Sequence, residues 1–156
     1  MTLFGFDEYK IFRSGEELKI YLNKDEQLTN HFIKYLPNEQ LFSGRFYEFF
    51  FTTYCSLPTK EAYRHFFTLF ATVKNRRYFS IHRRGVRVTL NLKYAKEPVE
   101  TSLNQARFVL WLISNEEILE AMNEARMDIT RTRYNMRRNF YQLKQITEDI
   151  HLNIDN

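Results

Sequence analysis

The chain has little of what disulfide-linked, metal-binding and loop-rich proteins depend on. It contains one cysteine, three prolines and four glycines among 156 residues. A lone cysteine excludes an internal disulfide, and Cys55 stands among Phe and Tyr, which favours a buried thiol in a reducing, intracellular compartment. The scarcity of Gly and Pro predicts few long irregular loops.

Long apolar runs are missing as well. The run from Phe108 to Ile113 has six residues, whereas a membrane-spanning helix needs about 18 or more. The first twelve residues lack a basic stretch followed by an apolar core, so we expect no secretory signal. These absences predict a chain that makes no membrane contact.

Signatures of enzymes and of metal or cofactor sites are also lacking. The four histidines, His31, His65, His82 and His151, are far apart and include no i, i+4 pair, and one cysteine cannot supply zinc-ligand spacing. The glycines at positions 5, 15, 44 and 85 are isolated, so no phosphate-binding or dinucleotide-binding loop is present. We interpret the chain as non-enzymatic, with no cofactor, metal or small-molecule substrate.

Aromatic side chains and a local excess of positive charge are what the sequence has in abundance. Fifteen Phe and ten Tyr predict a core packed largely by rings. The net charge is +4, but residues 60–96 hold ten Lys or Arg against one Glu, while residues 1–59 and 97–156 are each net acidic. Such asymmetry predicts a polyanionic partner.

Hydrophobic periodicity divides the first half of the chain into a hairpin and three helices. Leu18, Ile20 and Leu22 alternate with polar residues after a polar break, which predicts an N-terminal β-hairpin over 9–22. Apolar residues at helical spacing then predict three helices. The first is capped by Asn23 or Asp25 and stops at Pro37, the second covers 44–54 with Ser43 as N-cap, and the third covers 60–74 after Thr59.

The period changes to two after residue 77. Phe79 and Ile81 alternate with polar residues, and so do Val86, Val88, Leu90 and Leu92. Arg83, Arg84 and Gly85 lie between the two runs, and glycine readily takes the positive φ that a tight turn needs. The pattern predicts a basic β-hairpin over 78–93.

The C-terminal third is predicted to be helical. Thr101 or Ser102 begins one helix, and Ser114 with Glu117 matches a capping box that starts another. No Gly or Pro occurs between Asn115 and Ile150, so the last helix is predicted to have roughly 36 residues and a length of about 54 Å. We therefore expect a mainly helical α+β fold, with a domain over 1–100 and a helical association segment over 101–156.

The order of helix, helix, basic helix and basic hairpin over residues 25–95 resembles the winged helix, a variant of the helix-turn-helix. The resemblance rests on element order and charge. It implies that helix 60–74 enters the major groove of double-stranded DNA and that hairpin 78–93 forms a wing on the backbone, with RNA less favoured. The implied contact residues are Lys60, Tyr63, Arg64, Thr68, Lys74, Arg76, Arg77, His82, Arg83, Arg84, Arg87 and Lys93.

The last helix carries a second candidate surface, an apolar seam at alternating steps of four and three. The seam is formed by Ile118, Met122, Ala125, Ile129 and Met136. It predicts either a homodimeric coiled coil or a helix that lies across its own domain. The arginines at 126, 131, 133, 137 and 138 either extend the nucleic-acid surface or pair with acidic residues of the same helix.

Two functional hypotheses follow. The first is a nucleic-acid-binding protein, dimeric through its last helix. The alternative is a structural or scaffolding protein that assembles through its aromatic helices and last helix, in which case the basic hairpin is only solvated.

Overall fold

The computed structural model describes residues 3–155, with side chains described over 4–150. This range is mainly helical with one small antiparallel sheet, which confirms the expected α+β class at that level. The elements are α1 (Gly15–Leu22), α2 (Glu26–Tyr35), α3 (Gly44–Thr52), α4 (Arg64–Val73), β1 (Arg87–Leu90), β2 (Val99–Ser102), α5 (Leu103–Ile113) and α6 (Glu116–Asp155). Short 3-10 turns lie at Leu3–Gly5, Tyr54–Ser56 and Pro58–Tyr63.

Side-chain caps fix where four of the helices begin. The side-chain oxygens of Ser14, Asp25, Ser43 and Ser102 each accept the backbone N–H three residues later, at 3.1–3.2 Å. Each bond satisfies one of the helix N–H groups that have no partner within the helix. The predicted cap of α3 is therefore confirmed, and of the two alternatives predicted for α2 and for α5 the structure has Asp25 and Ser102.

The predicted N-terminal hairpin is wrong, because residues 15–22 form helix α1. Ser14 caps this helix, and Leu18 and Leu22 are buried one turn apart. Ile20, which the alternating pattern placed with them, is 58% exposed. Two leucines four residues apart suit a strand and a helix equally, and here the cap decides for the helix.

A two-stranded antiparallel hairpin is present, but it is not the one predicted over 78–93. Strand β1 pairs with β2, with Arg87 opposite Ser102 and Leu90 opposite Val99. Residues 78–86 form turns and irregular chain, with Gly85 at φ 84°. The second run of the pattern is therefore extended, but its partner comes from residues that follow Pro98.

The predicted helix over 60–74 is also divided. Its first turn belongs to the 3-10 segment Pro58–Tyr63, where Lys60 has non-helical angles (φ −117°, ψ 45°). The α-helix proper begins at Arg64 without a side-chain cap. Lys60 and Tyr63 consequently do not share a helical face with Arg64 and Thr68.

Helix α5 lies at the centre of the core, and every residue from Gln105 to Ile113 is buried. It packs against α2 on one side and α6 on another. Rings of α3 and α4 complete the core around it, with Phe51 stacked on Phe70 at 4.7 Å between centroids and tilted against Trp111. The predicted aromatic core is accordingly built from most of the α3 rings.

One cation, Arg107, lies within this buried helix with a residue exposure of 4%. Its guanidinium donates to four backbone carbonyls: those of Lys10 and Glu8 at 2.7 and 2.9 Å, and those of Arg77 and Tyr78 at 2.6 and 3.1 Å. Burial lowers the pKa of Arg107, and the nearby charge of Arg76 lowers it further. Arg107 therefore joins the N-terminal segment and the chain after α4 to the central helix.

Helix α6 begins after a break at Ser114, as predicted, but the predicted capping box is wrong. Ser114 closes α5, and the first backbone N–H bonds of α6, from Ile118 and Leu119, go to the Asn115 carbonyl. The Ser114 hydroxyl donates to the Leu110 carbonyl of α5 at 2.7 Å, which closes the end of that helix. The first turns of α6 pack on the domain, and from residue 134 to residue 150 every side chain is exposed. The helix thus has a packed part and a projecting part.

Candidate nucleic-acid interface

Four of the twelve residues predicted to bind nucleic acid lie against carboxylates. The pairs are Lys60–Asp128 at 2.9 Å, Arg76–Glu8 at 3.4 Å, His82–Glu48 at 2.5 Å and Arg83–Glu100 at 3.5 Å. Each carboxylate comes from outside residues 60–96. The positive charge of residues 60–96 is therefore partly neutralised by carboxylates from residues 1–59 and 97–156.

The Lys60 pair joins the 3-10 segment Pro58–Tyr63 to α6. Its ammonium group lies 2.9 Å from the Asp128 carboxylate and 5.3 Å from the centre of the Tyr54 ring. The Tyr54 hydroxyl donates to the same carboxylate at 2.6 Å. These two bonds lower the pKa of Asp128, and burial and the bond to Asp128 raise the pKa of Tyr54 to about 12. Lys60 thus fastens α6 to the domain.

His82 and Arg83, predicted at the tip of a wing, lie instead against the domain. The His82 imidazole N–H donates to Glu48 of α3, and a Cβ on Gly44 would come within 2.9 Å of the same ring. Arg83 contacts Glu100 of strand β2. Arg76, with its ring contact to Tyr9 at 4.4 Å, is held in a similar way by the N-terminal segment.

The other predicted residues are more open. Tyr63 is half-buried against Tyr54 and Phe66, and the Thr68 hydroxyl donates to the Arg64 carbonyl at 3.5 Å. The exposed cations of this group have no carboxylate within 4.0 Å in the described part of the chain. They are Arg64, Lys74, Arg77, Arg84, Arg87 and Lys93.

The predicted dimerisation seam is mostly occupied by the domain itself. Ile118, Met122 and Ile129 have no exposed surface, and Ala125 is 7% exposed. Their side chains belong to the hydrophobic core, so a second copy cannot reach them. Met136 differs, since it lies on the projecting part of α6 and is 41% exposed.

The projecting part of α6 carries a basic and aromatic face. Residues 129–147 contain five Lys or Arg and no Asp or Glu. A shallow surface of about 510 Å³ is lined by Thr130, Arg133, Tyr134, Arg137, Arg138 and Tyr141. These positions recur every three or four residues and so share one side of the helix.

The arginines of this face are not paired along the helix. The described residues contain six contacts between a basic and an acidic side chain, none of which involves Arg131, Arg133, Arg137 or Arg138. Arg126 donates instead to the Gln40 carbonyl at 3.3 Å and lies over the Phe42 ring. The intrahelical ion pairs that the sequence favoured are therefore not formed by Arg133, Arg137 and Arg138. The charge of Arg131 does act on Asp128, whose pKa it helps to lower.

Other chemistry has little support in the described residues. Cys55 is buried, and burial raises the pKa of its thiol to about 12, so the thiolate is scarce near neutral pH. No three His, Cys, Asp or Glu side chains of residues 4–150 are grouped to hold a metal ion. No helix in this range is both long enough and apolar enough to cross a bilayer.

Comparisons with protein families, with curated proteins and with solved structures each returned no match to this chain.

The exposed face of α6 could have been located from the sequence. A count over residues 129–147 shows its positive charge directly, whereas a count over the whole last third is dominated by acidic residues on either side. The heptad pattern alone does not show where the helix leaves the domain, since apolar residues continue through the packed and projecting parts alike.

Proposed function

We propose that this chain is a non-enzymatic nucleic-acid-binding protein whose main contact surface is the basic face of α6 between Thr130 and Lys144. The observation that carries the proposal is the set of three arginines, Arg133, Arg137 and Arg138, without carboxylate partners on the projecting helix. Unpaired guanidinium groups are the side chains best suited to phosphate oxygens, which accept two parallel N–H bonds.

The two tyrosines support the same proposal. Tyr134 and Tyr141 are exposed at 64% and 59%, between the arginines of the face. Their hydroxyl groups can donate to phosphate, and their rings can pack on sugars or bases. A surface that needed only solubility would more usually place short polar residues at these positions.

Double-stranded DNA is the form that we expect to bind best. An exposed α-helix fits the major groove of B-form DNA, whereas the deep, narrow major groove of A-form RNA excludes it. The exposed cations Lys74, Arg77, Arg84 and Arg87 would then supply further phosphate contacts. Their role is secondary because neighbouring cations of the same segment are bound to carboxylates.

The test is binding of a labelled random-sequence 20-base-pair duplex, measured by fluorescence anisotropy between 50 and 200 mM salt. Each phosphate contact contributes about 0.9 to the slope of log K against log salt, so R133Q/R137Q/R138Q should reduce that slope by about 3. The triple variant K24Q/K34Q/K96Q removes the same charge from exposed lysines elsewhere. This control should leave the slope nearly unchanged.

Two further comparisons make the result decisive. The variant R77Q/R84Q/R87Q tests the chain between α4 and β1, and a larger loss there than in α6 would move the contact surface to that segment. An RNA duplex of equal length tests the preference for DNA. Absence of binding by the unmodified protein at 50 mM salt would contradict the proposed function.

A further inference from the structure

Helix α6 presents a row of exposed apolar side chains on its projecting part. Met136, Phe140, Leu143, Ile146 and Ile150 have exposures between 41% and 64%. They follow each other at steps of three or four and so form one stripe along the helix. Successive residues of an α-helix are rotated by about 100° around its axis. By this rotation the mean direction of the stripe is roughly opposite that of Thr130, Tyr134 and Tyr141 of the basic face.

The stripe continues a seam that is already part of an interface. Met122, Ile129, Met136, Leu143 and Ile150 are spaced by seven residues each. The first two pack into the core of the domain, and the last three extend the same line beyond it. A strict seven-residue repeat is the pattern of a helix that packs along a second helix.

We propose that a second copy of this chain covers the stripe, with the two α6 helices antiparallel and crossing near Leu143. In this register Met136 of one copy lies at the level of Ile150 of the other, and Phe140 at the level of Ile146. The row is then self-complementary about a twofold axis, as an isologous dimer requires.

The charges of α6 select the antiparallel direction. Parallel helices would hold the two arginine groups at 131–138 at the same level, within about one Debye length of each other. Antiparallel helices bring Arg137 and Arg138 of each copy to the level of Asp149 and Glu148 of the second copy. Thr130, Tyr134 and Arg138 of the basic face stay on the outside of the pair, whereas Arg133, Arg137 and Tyr141 border the interface.

The domain also leaves room for the end of the second helix. A concave surface of about 360 Å³ lies where α6 leaves α3 and is lined by Phe49, Arg133, Met136, Arg137, Phe140 and Tyr141. In the proposed register, Ile150 of the second copy reaches this concavity. Ten side chains from two copies, at roughly 100 Å² each, bury about 1,000 Å², which meets the lower size of a specific interface.

Sedimentation equilibrium of the full chain from 1 to 100 µM at 150 mM salt, without nucleic acid, tests the proposal. We expect a mass of twice 19.1 kDa at the upper concentrations, whereas 19.1 kDa throughout would overturn it. L143E/I146E should raise the dimer dissociation constant at least 100-fold, and L143A/I146A at least tenfold with helix content unchanged. The control Y134E/Q145E adds the same two carboxylates on the opposite face, away from the concavity, and should remain dimeric.

A distance measurement tests the direction of the helices. Spin labels at T130C, in a C55A background, should lie about 40 Å apart in the antiparallel dimer, because each is thirteen residues from Leu143. A separation below about 20 Å would show a parallel pair and overturn the proposed arrangement. A dimer that persists in L143E/I146E would place the interface elsewhere and would equally overturn it.

Discussion

Replacing Arg107 with methionine should destabilise the fold more than any surface change. Methionine fills a similar volume without a donor, so the carbonyls of Glu8, Lys10, Arg77 and Tyr78 lose their shared partner. Each hydrogen bond contributes about 1 kcal/mol, and one to a charged group somewhat more. Removing a buried charge recovers part of its desolvation cost, so we expect a net loss of about 3–4 kcal/mol for R107M.

Urea denaturation followed by circular dichroism at pH 7 measures this loss. The midpoint should fall with little change in the slope, because the folded core remains equally compact. R107K keeps the charge but not the fork of five N–H groups, so its loss should be intermediate. R84M makes the same change at an exposed position and should stay within about 0.5 kcal/mol.

A small effect would refute this reasoning. If R107M loses less than about 1 kcal/mol, water or a rearranged chain must satisfy the four carbonyls. The N-terminal segment would then not depend on α5 for its position. Proteolysis of residues 7–13 gives an independent check, since this segment should be cut faster in R107M than in R84M under native conditions.

Two further predictions concern α6. M122A should lower the free energy of unfolding by about 2–4 kcal/mol, because the Met122 side chain is fully buried. M127A makes the same change at a side chain that is 74% exposed, and its loss should stay within about 0.5 kcal/mol. The urea midpoints of the two variants measure this difference. The folded state holds the pKa of Asp128 below its ordinary value of 3.8, so the stabilisation that it gives is present above that pH and is lost as pH falls through the lowered pKa. D128N should therefore weaken the loss of stability between pH 5 and 2, while E124Q should not, and a dependence that is equal in both variants would contradict the role of the Tyr54 and Lys60 bonds.

Local chemistry made some elements predictable from the sequence. An N-cap bond joins residues that are only three positions apart, so it can be read from the sequence. Ser43 was recognised for that reason, and Asp25 and Ser102 were each one of two predicted caps. The break at Ser114 is equally local. The start of α4 was misplaced because Thr59 makes no cap bond there and Pro58 begins a 3-10 turn.

Strand pairing was less predictable, because it depends on residues distant in the sequence. Arg87–Leu90 has the right alternation, but nothing within it chooses between residues 79–81 and Val99–Ser102 as partner. The burial of Gln105 contributes to that choice. Its side-chain amide donates to the Ile81 carbonyl at 3.0 Å, which occupies the backbone of the competing run with a side chain of α5.

The candidate site shows the same limit for charge. A run of cations in the sequence predicts positive potential only if no carboxylates lie against it. Here carboxylates from the N-terminal segment, α3, β2 and α6 pair with it, at Glu8, Glu48, Glu100 and Asp128. On α6 the relation is reversed. Within residues 4–150, no carboxylate lies within 4.0 Å of a cation between residues 130 and 145. Phe49 of α3, which lines the concavity at the base of this segment, carries no charge, so the composition of the helix sets the charge there. A single exposed helix is thus the part of a fold where sequence composition predicts surface chemistry most directly, and this is why the basic face of α6 is the stronger place to look for a polyanion.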